Sequence, residues 1–188
     1  MKRIQFGMLV LVSAMLAVGF QRASSAADEP KVDPKPEAKG DTVTVEGHTF
    51  TLPTEWKKAE PAFAMRKYQA DVPKAAGDAD NGEFVVTVAG GGLDANIKRW
   101  AGQFGGAESL KGKYEVKTAG GGTATVAELE GPYSAMTMQG PQPAKDGYKQ
   151  LGAIVSTPQG DFFLKLVGPK KTVDQFKAAF DAMVGSFK

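Results

Sequence analysis

Two hydrophobic periods alternate along the chain. Over Thr42 to Glu46 and Thr49 to Leu52 apolar positions fall at every second residue of β-branched runs, and Gly47-His48 between them predicts a hairpin. Pro53 ends the second run, because it has no N–H to give a ladder. A third strand is expected over 62–70, with Phe63 and Met65 on one face and Tyr68 on the other. A polar loop over 71–82 then leads into Glu83 to Ala89, where Phe84 and Val86 oppose Val85. That pattern predicts a central strand covered on both sides.

After Gly90-Gly91-Gly92 the period lengthens. Leu93, Ile97, Trp100, Ala101 and Phe104 lie on one face of a helix that ends at Gly105. Strands resume over Tyr114 to Ala119 and Thr123 to Glu130, then over Tyr148 to Thr157 and Asp161 to Val167, the last pair joined by Pro158-Gln159-Gly160. Between them, 131–147 reads as a Gly- and Pro-rich loop. Val173, Phe176, Phe180, Met183, Val184 and Phe187 form the apolar stripe of a closing helix, with Thr172 and Gln175 spaced as a capping box and Pro169 just upstream. Hairpin-joined strands imply a mostly antiparallel sheet, and two amphipathic helices need sheet faces to cover. The expectation is one α+β domain over 41–188, an α/β/α sandwich.

The N-terminus carries a different pattern. Lys2 and Arg3 precede an apolar run from Phe6 to Phe20, followed by small residues at Ala23 to Ala27. This is the layout of a secretory signal peptide, assigned to 1–26, and its apolar run is shorter than the ~20 residues that span a bilayer. Residues 27–40, with three prolines and alternating charges, read as an extended linker. Cleavage would take three cations (Lys2, Arg3, Arg22) from a formal net charge of +2, leaving about −1. The basic balance that suggests a nucleic-acid partner therefore belongs to the signal, and no nucleic-acid role is expected. The mature protein is expected to be a periplasmic or extracellular monomer without stable membrane insertion.

Phe50-Thr51-Leu52-Pro53 followed by Trp56, and a closing helix from Gly168-Pro169 to Ser186-Phe187, resemble the PsbP/Mog1-like fold. Many exported bacterial members of that superfamily carry an F-x-L-P-x-x-W start and an F…M…S-F end. Asn96-Ile97-Lys98-Arg99-Trp100 with Gln103-Phe104 is similar to a segment of its uncharacterised exported members. The resemblance implies an antiparallel sheet with helices over about 41–188. It implies no activity, cofactor or site residue, because the superfamily spans extrinsic photosystem subunits and a nuclear GTPase-binding protein.

With no cysteine, disulfides, thiolate metal sites and thiol nucleophiles are excluded; with one histidine, so are multi-histidine metal sites. His48 is the one imidazole available to a Ser-His-Asp relay, but no G-x-S-x-G elbow is present and a solvated turn position suits it better. Asp78-Ala79-Asp80-Asn81-Gly82 falls short of a calcium loop: its Gly comes one position early, and Ala89 stands where the twelfth-position Glu belongs. Glu128 and Glu130 share one strand face about 7 Å apart, a pairing read as a solvated strand edge rather than an acid–base couple.

Three features remain as binding candidates. Met136 and Met138 pair soft thioethers suited to Cu(I), with Met65 as a distant third donor, against the alternative of methionines packed as apolar plugs. Lys165 interrupts the apolar run Phe162 to Val167, so its ammonium must snorkel to an edge or pair with a carboxylate. Lys98 and Arg99 beside Trp100 either form a cation–π patch or face water while Trp100 joins the helix stripe. No catalytic set and no cofactor site emerge. The expectation is a non-catalytic binding or scaffolding protein of the bacterial cell envelope, its partner an unidentified envelope protein or small ligand. A small-ligand or copper carrier is the alternative, and a hydrolase without recognisable motifs the third.

Overall fold

A computed structural model describes residues 38–188. The signal peptide expected over 1–26, and the expected linker up to residue 37, lie outside the described residues. Strand β1 (Gly40–Val45) already begins at the last residue assigned to that linker. β1 pairs with β2 (His48–Pro53) as the hairpin. The two-residue turn is Glu46-Gly47 rather than Gly47-His48, with φ of 47° and 82° respectively, the left-handed pair that a tight hairpin turn demands.

The remaining strands are β3 (Lys57–Ala59), β4 (Arg66–Val72), β5 (Gly82–Ala89), β6 (Leu110–Lys117), β7 (Thr123–Tyr133), the two-residue β8 (Met136–Thr137) and β9 (Gly140–Pro141), β10 (Lys145–Thr157) and β11 (Gly160–Pro169). Seven form one sheet in the order β3-β4-β5-β11-β10-β7-β6, every neighbouring pair antiparallel. The strand expected over 62–70 starts four residues late, at Arg66: a turn occupies 62–65 and leaves Met65 78% exposed. β3 is three residues long and too polar to carry an alternation. The presumed loop at 131–147 is largely ordered strand, because β7 and β10 run into it and β8 pairs with β9.

The sheet separates two apolar layers. On one face Phe84, Leu164 and Leu166 pack with the hairpin's Phe50 and Leu52, and with Phe180 and Met183 of the C-terminal helices. On the other, α1 (Leu93–Gly102) sets Ile97, Trp100 and Ala101 against Leu129, Ile154 and Phe163. Both faces of β11 are thus buried, as its apolar run requires. The architecture is the α/β/α arrangement of the α+β class.

The closing helix is two helices, α2 (Lys170–Gln175) and α3 (Lys177–Gly185), divided at Phe176. The bend lets α2 lie on β10 and β11 while α3 reaches β2 and β6. The predicted capping box does not form. Thr172 is buried instead, and both its backbone N–H and its hydroxyl donate to Asp78 Oδ2, at 2.9 and 2.6 Å. The acidic segment that falls short of a calcium loop therefore holds the start of α2 from outside, and its neighbour Asp80 accepts from Lys145 and Tyr148. Lys188 exchanges backbone hydrogen bonds with Thr49, and Ser186 Oγ accepts from the Thr51 N–H, so the C-terminus is stitched onto the hairpin.

Candidate functional site

Alternation along β11 decides where Lys165 goes. Phe162, Leu164 and Leu166 point into the hairpin layer, so Phe163, Lys165 and Val167 point to the α1 side. β11 is the fourth of seven strands, which puts both sheet edges out of reach of a lysine stem. Neither expected outcome occurs: Lys165 does not reach an edge and has no ion pair or hydrogen bond among the described residues. Its ammonium opens into a cavity of about 90 Å³ lined by Arg66, Val85, Thr87, Arg99, Trp100 and Phe163.

Each neighbour is placed by an identifiable element. Arg66 opens β4, opposite Thr87 of β5, and its Nη1 donates to Glu83 Oε1 and to Gln69 Oε1. Arg99 lies on α1 and donates to Asn96 Oδ1 at 2.7 Å; the buried Asn96 is itself anchored by its amide on the Gly92 carbonyl, also at 2.7 Å. Trp100 and Phe163 meet edge to face at 5.9 Å and form the apolar wall. A Cβ on Gly152 would stand 2.4 Å from the Trp100 ring, so glycine is what lets α1 settle this close to the sheet.

Three cations thus face one cavity, with Glu83 as the acidic neighbour. Burial lowers the Lys165 pKa to about 8; Glu83 opposes that shift and the two guanidinium groups add to it. A second cavity of about 400 Å³ adjoins through Arg99 and is lined by Gly102, Gln103, Ser134, Met136 and Pro141. Gln103 keeps a buried side-chain oxygen without a hydrogen-bond partner.

The structure brings Lys165, Arg99 and Met136 together around these two cavities, and leaves out two other candidates. Lys98 is exposed on the outer face of α1, and Met138 is 86% exposed beyond β8. Met136 is 57% exposed, so neither methionine of the pair is an apolar plug. Trp100 is buried and takes no part in the cation–π contacts of the described residues, which join Arg66 to Phe63, Lys145 to Tyr148 and Lys177 to Tyr114. The predicted strand phase put Arg66 on the same face as Tyr68, which in the structure belongs to the hairpin layer. A β-bulge between Arg66 and Tyr68 breaks that phase and sets Arg66 opposite Thr87, on the face that Lys165 shares.

The carboxylate pair is corrected too. Glu128 and Glu130 do share a face, but Lys149 from β10 spans them at 3.1 and 3.2 Å and also meets Asp174 of α2 at 2.8 Å. Lys170 and Lys177 extend this network to Asp174, Glu130, Glu128 and Asp181. Burial would raise Glu128, and the Lys149 hydrogen bond and charge outweigh it and lower its pKa. Every member is partnered, so the cluster ties α2 and α3 to the sheet rather than waiting for a substrate. His48 is not a free turn residue either: it begins β2, with its ring stacked 5.1 Å from Phe187 and edge-on to Phe162 at 4.8 Å. Among the described residues no group of three or more His, Asp or Glu side chains is placed to hold a metal ion.

The sequence matches no protein-family model, and no curated protein matches it. Among solved structures, the chain is similar to the solution structure of cyanobacterial PsbP, CyanoP, from Synechocystis. The superposition has a TM-score of 0.52 and 12% identity, and covers 83% of this chain and 95% of that one. The fold is PsbP-like. At this level of identity the likeness concerns the backbone arrangement alone.

Proposed function

We infer that the chain is an exported, non-catalytic binding protein of the bacterial cell envelope which holds a small ligand on the α1 side of its sheet. The observation that carries this reading is the lone ammonium of Lys165, set without a partner among the described residues at a cavity that shares Arg99 with a larger one. A partly buried charge without a counter-ion is a standing cost to folding, and such costs are tolerated where a site has a use for them. The Gln103 oxygen beside the second cavity is a further polar group left unpaired. Residues for nucleophilic or acid–base chemistry do not converge there, which favours holding a ligand over transforming it.

Native mass spectrometry of protein recovered from envelope extract tests the reading. The expected result is a small-molecule adduct at one per chain that is lost in the Arg99→Ala variant. A stoichiometric protein partner with the cavities empty would favour scaffolding instead. Bound copper abolished by Met→Leu substitution at Met136 and Met138 would favour the carrier alternative.

A further inference from the structure

The charges around the smaller cavity do not balance, and the imbalance points to a class of ligand. Arg66 already has its carboxylate in Glu83. Arg99 has a neutral partner, Asn96, and Lys165 has none. Glu83 is shared further, since Gln69 Nε2 also donates to it at 3.1 Å. Two positive charges therefore face an apolar wall of Trp100, Phe163 and Val85 with nothing opposite them. Lys165 is partly buried, so water screens its charge less than at an open surface and an anion delivered to it is held more strongly there.

Elsewhere the same chain neutralises a buried lysine with three carboxylates, as it does for Lys149. No comparable group stands near Lys165. We propose that the cavity bounded by Arg66, Arg99 and Lys165 is a binding site for a small oxyanion, a carboxylate or a tetrahedral phosphate-type group, which supplies the counter-ion the fold omits. This rests on the small-ligand reading above and names the ligand's charged end.

Size fits the class. At about 90 Å³ this cavity is the smaller of the two and has room for an oxyanion head. The remainder of a larger ligand would extend past Arg99 toward Gln103 and Ser134, where 400 Å³ is open. A guanidinium presents paired N–H donors to two oxygens at once, and a lysine adds a point charge, so Arg99 and Lys165 together suit both planar and tetrahedral oxyanions.

Sulfate and acetate separate the two forms, and neither changes charge between about pH 7 and 9. Each is titrated at constant ionic strength, with chloride as the control, while the amide resonances of Val85, Thr87, Arg99 and Lys165 are followed by NMR. Saturable shifts confined to these residues are expected. Affinity should fall about tenfold or more in Lys165→Gln and in Arg99→Gln. Because Arg99 is exposed, its variant remains informative should the Lys165 variant fold poorly. In the natural protein affinity should also weaken as pH rises through about 8, where Lys165 loses its proton. The charged groups facing Lys165 are Arg66 from β4, Glu83 from β5 and Arg99 from α1. Lys165→Arg should bind without that pH dependence. Preference for sulfate or for acetate identifies which source of oxyanion the site takes.

Shifts shared equally by chloride, an adventitious ion only, would overturn the proposal, as would affinity unchanged in both Gln variants. A neutral or cationic adduct in the native spectrum that still requires Arg99 would overturn the oxyanion class while leaving the small-ligand reading in place.

Discussion

Replacing Lys165 with Met isolates what the unpaired ammonium does to the fold, since Met keeps an unbranched apolar stem and removes the charge. An ordinary lysine titrates at 10.5, and burial brings Lys165 to about 8. A tenfold change in proton affinity is worth about 1.4 kcal/mol, so the full difference would destabilise the folded state by about 3 kcal/mol near neutral pH. The side chain is only partly buried and the cavity mouth admits screening, which reduces the expected effect to about 1.5–2 kcal/mol. The sign follows from proton counting. Between about pH 8 and 10.5 the unfolded chain retains a proton that the folded chain has released, so the natural protein gains stability as pH rises through that window. Lys165→Met lacks the group and should show no such gain. Near neutral pH the variant should therefore be the more stable, by about 3 to 8 °C in midpoint for a domain of this size. By about pH 10.5 its advantage should shrink below about 0.5 kcal/mol. Urea unfolding of both proteins at several pH values between about 7 and 10, read by circular dichroism, measures this directly. Equal stability near neutrality, or an advantage that does not change with pH, would show that Lys165 is solvated and would remove the physical basis of the site.

Three further substitutions test the elements that build the cavity and its surroundings. Lys149→Met should destabilise by about 1–2 kcal/mol, because it leaves Glu128, Glu130 and Asp174 only the more exposed cations Lys177 and Lys170. Glu128 and Asp174 have lowered pKa values, so the stability they contribute is present above the ordinary carboxylate range and lost as pH falls through the lowered values. Acid unfolding followed by tryptophan fluorescence should show a shallower loss in the Lys149 variant, and an unchanged acid limb would contradict the network. Gly152→Ala should drive the Trp100 ring off the sheet and destabilise by about 1–3 kcal/mol, with altered Trp100 emission; a silent variant would show that α1 is not seated as described. Asp78→Ala removes the acceptor for the Thr172 N–H and hydroxyl, and should lower stability by about 1–2 kcal/mol in chemical denaturation. No loss would mean that α2 is capped by other means.

What the sequence disclosed and what it withheld divide along physical lines. The hairpin, α1 and the doubly apolar strands β5 and β11 were legible because burial on a defined face leaves a period in the residues themselves. The break at Phe176 was hidden, since Val173 and Phe180 keep one continuous stripe while Thr172 is held by Asp78 from almost a hundred residues away. The same is true of the carboxylates: Glu128 and Glu130 were placed correctly on one face, but Lys149 could be assigned to them only once β7 and β10 were known to be neighbours. Lys165 was conspicuous in its apolar run. What it faces required the register that sets Val85 opposite it, together with the bulge in β4 that delivers Arg66. Local period encodes which face a residue takes; pairing across the sheet decides its company.

Lys149 and Lys165 lie on adjacent strands and on opposite faces of one sheet, and the chain treats them oppositely. Burial works against both charges. Around Lys149, the hydrogen bonds it donates to Asp174, Glu128 and Glu130 outweigh it and the pKa is raised; around Lys165 no carboxylate among the described residues is in hydrogen-bond reach and the pKa falls. If the missing counter-ion is what makes a site, supplying one from the chain should close it. Thr87 lines the cavity opposite Phe163 and Arg66, and a glutamate there would enter the same space. Thr87→Glu should stabilise the protein near neutral pH, by up to about 2 kcal/mol if the new pair is well made. It should also abolish sulfate and acetate binding by occupying the site. Higher stability with undiminished anion binding would separate the two effects and show that the anion, if it binds, binds elsewhere.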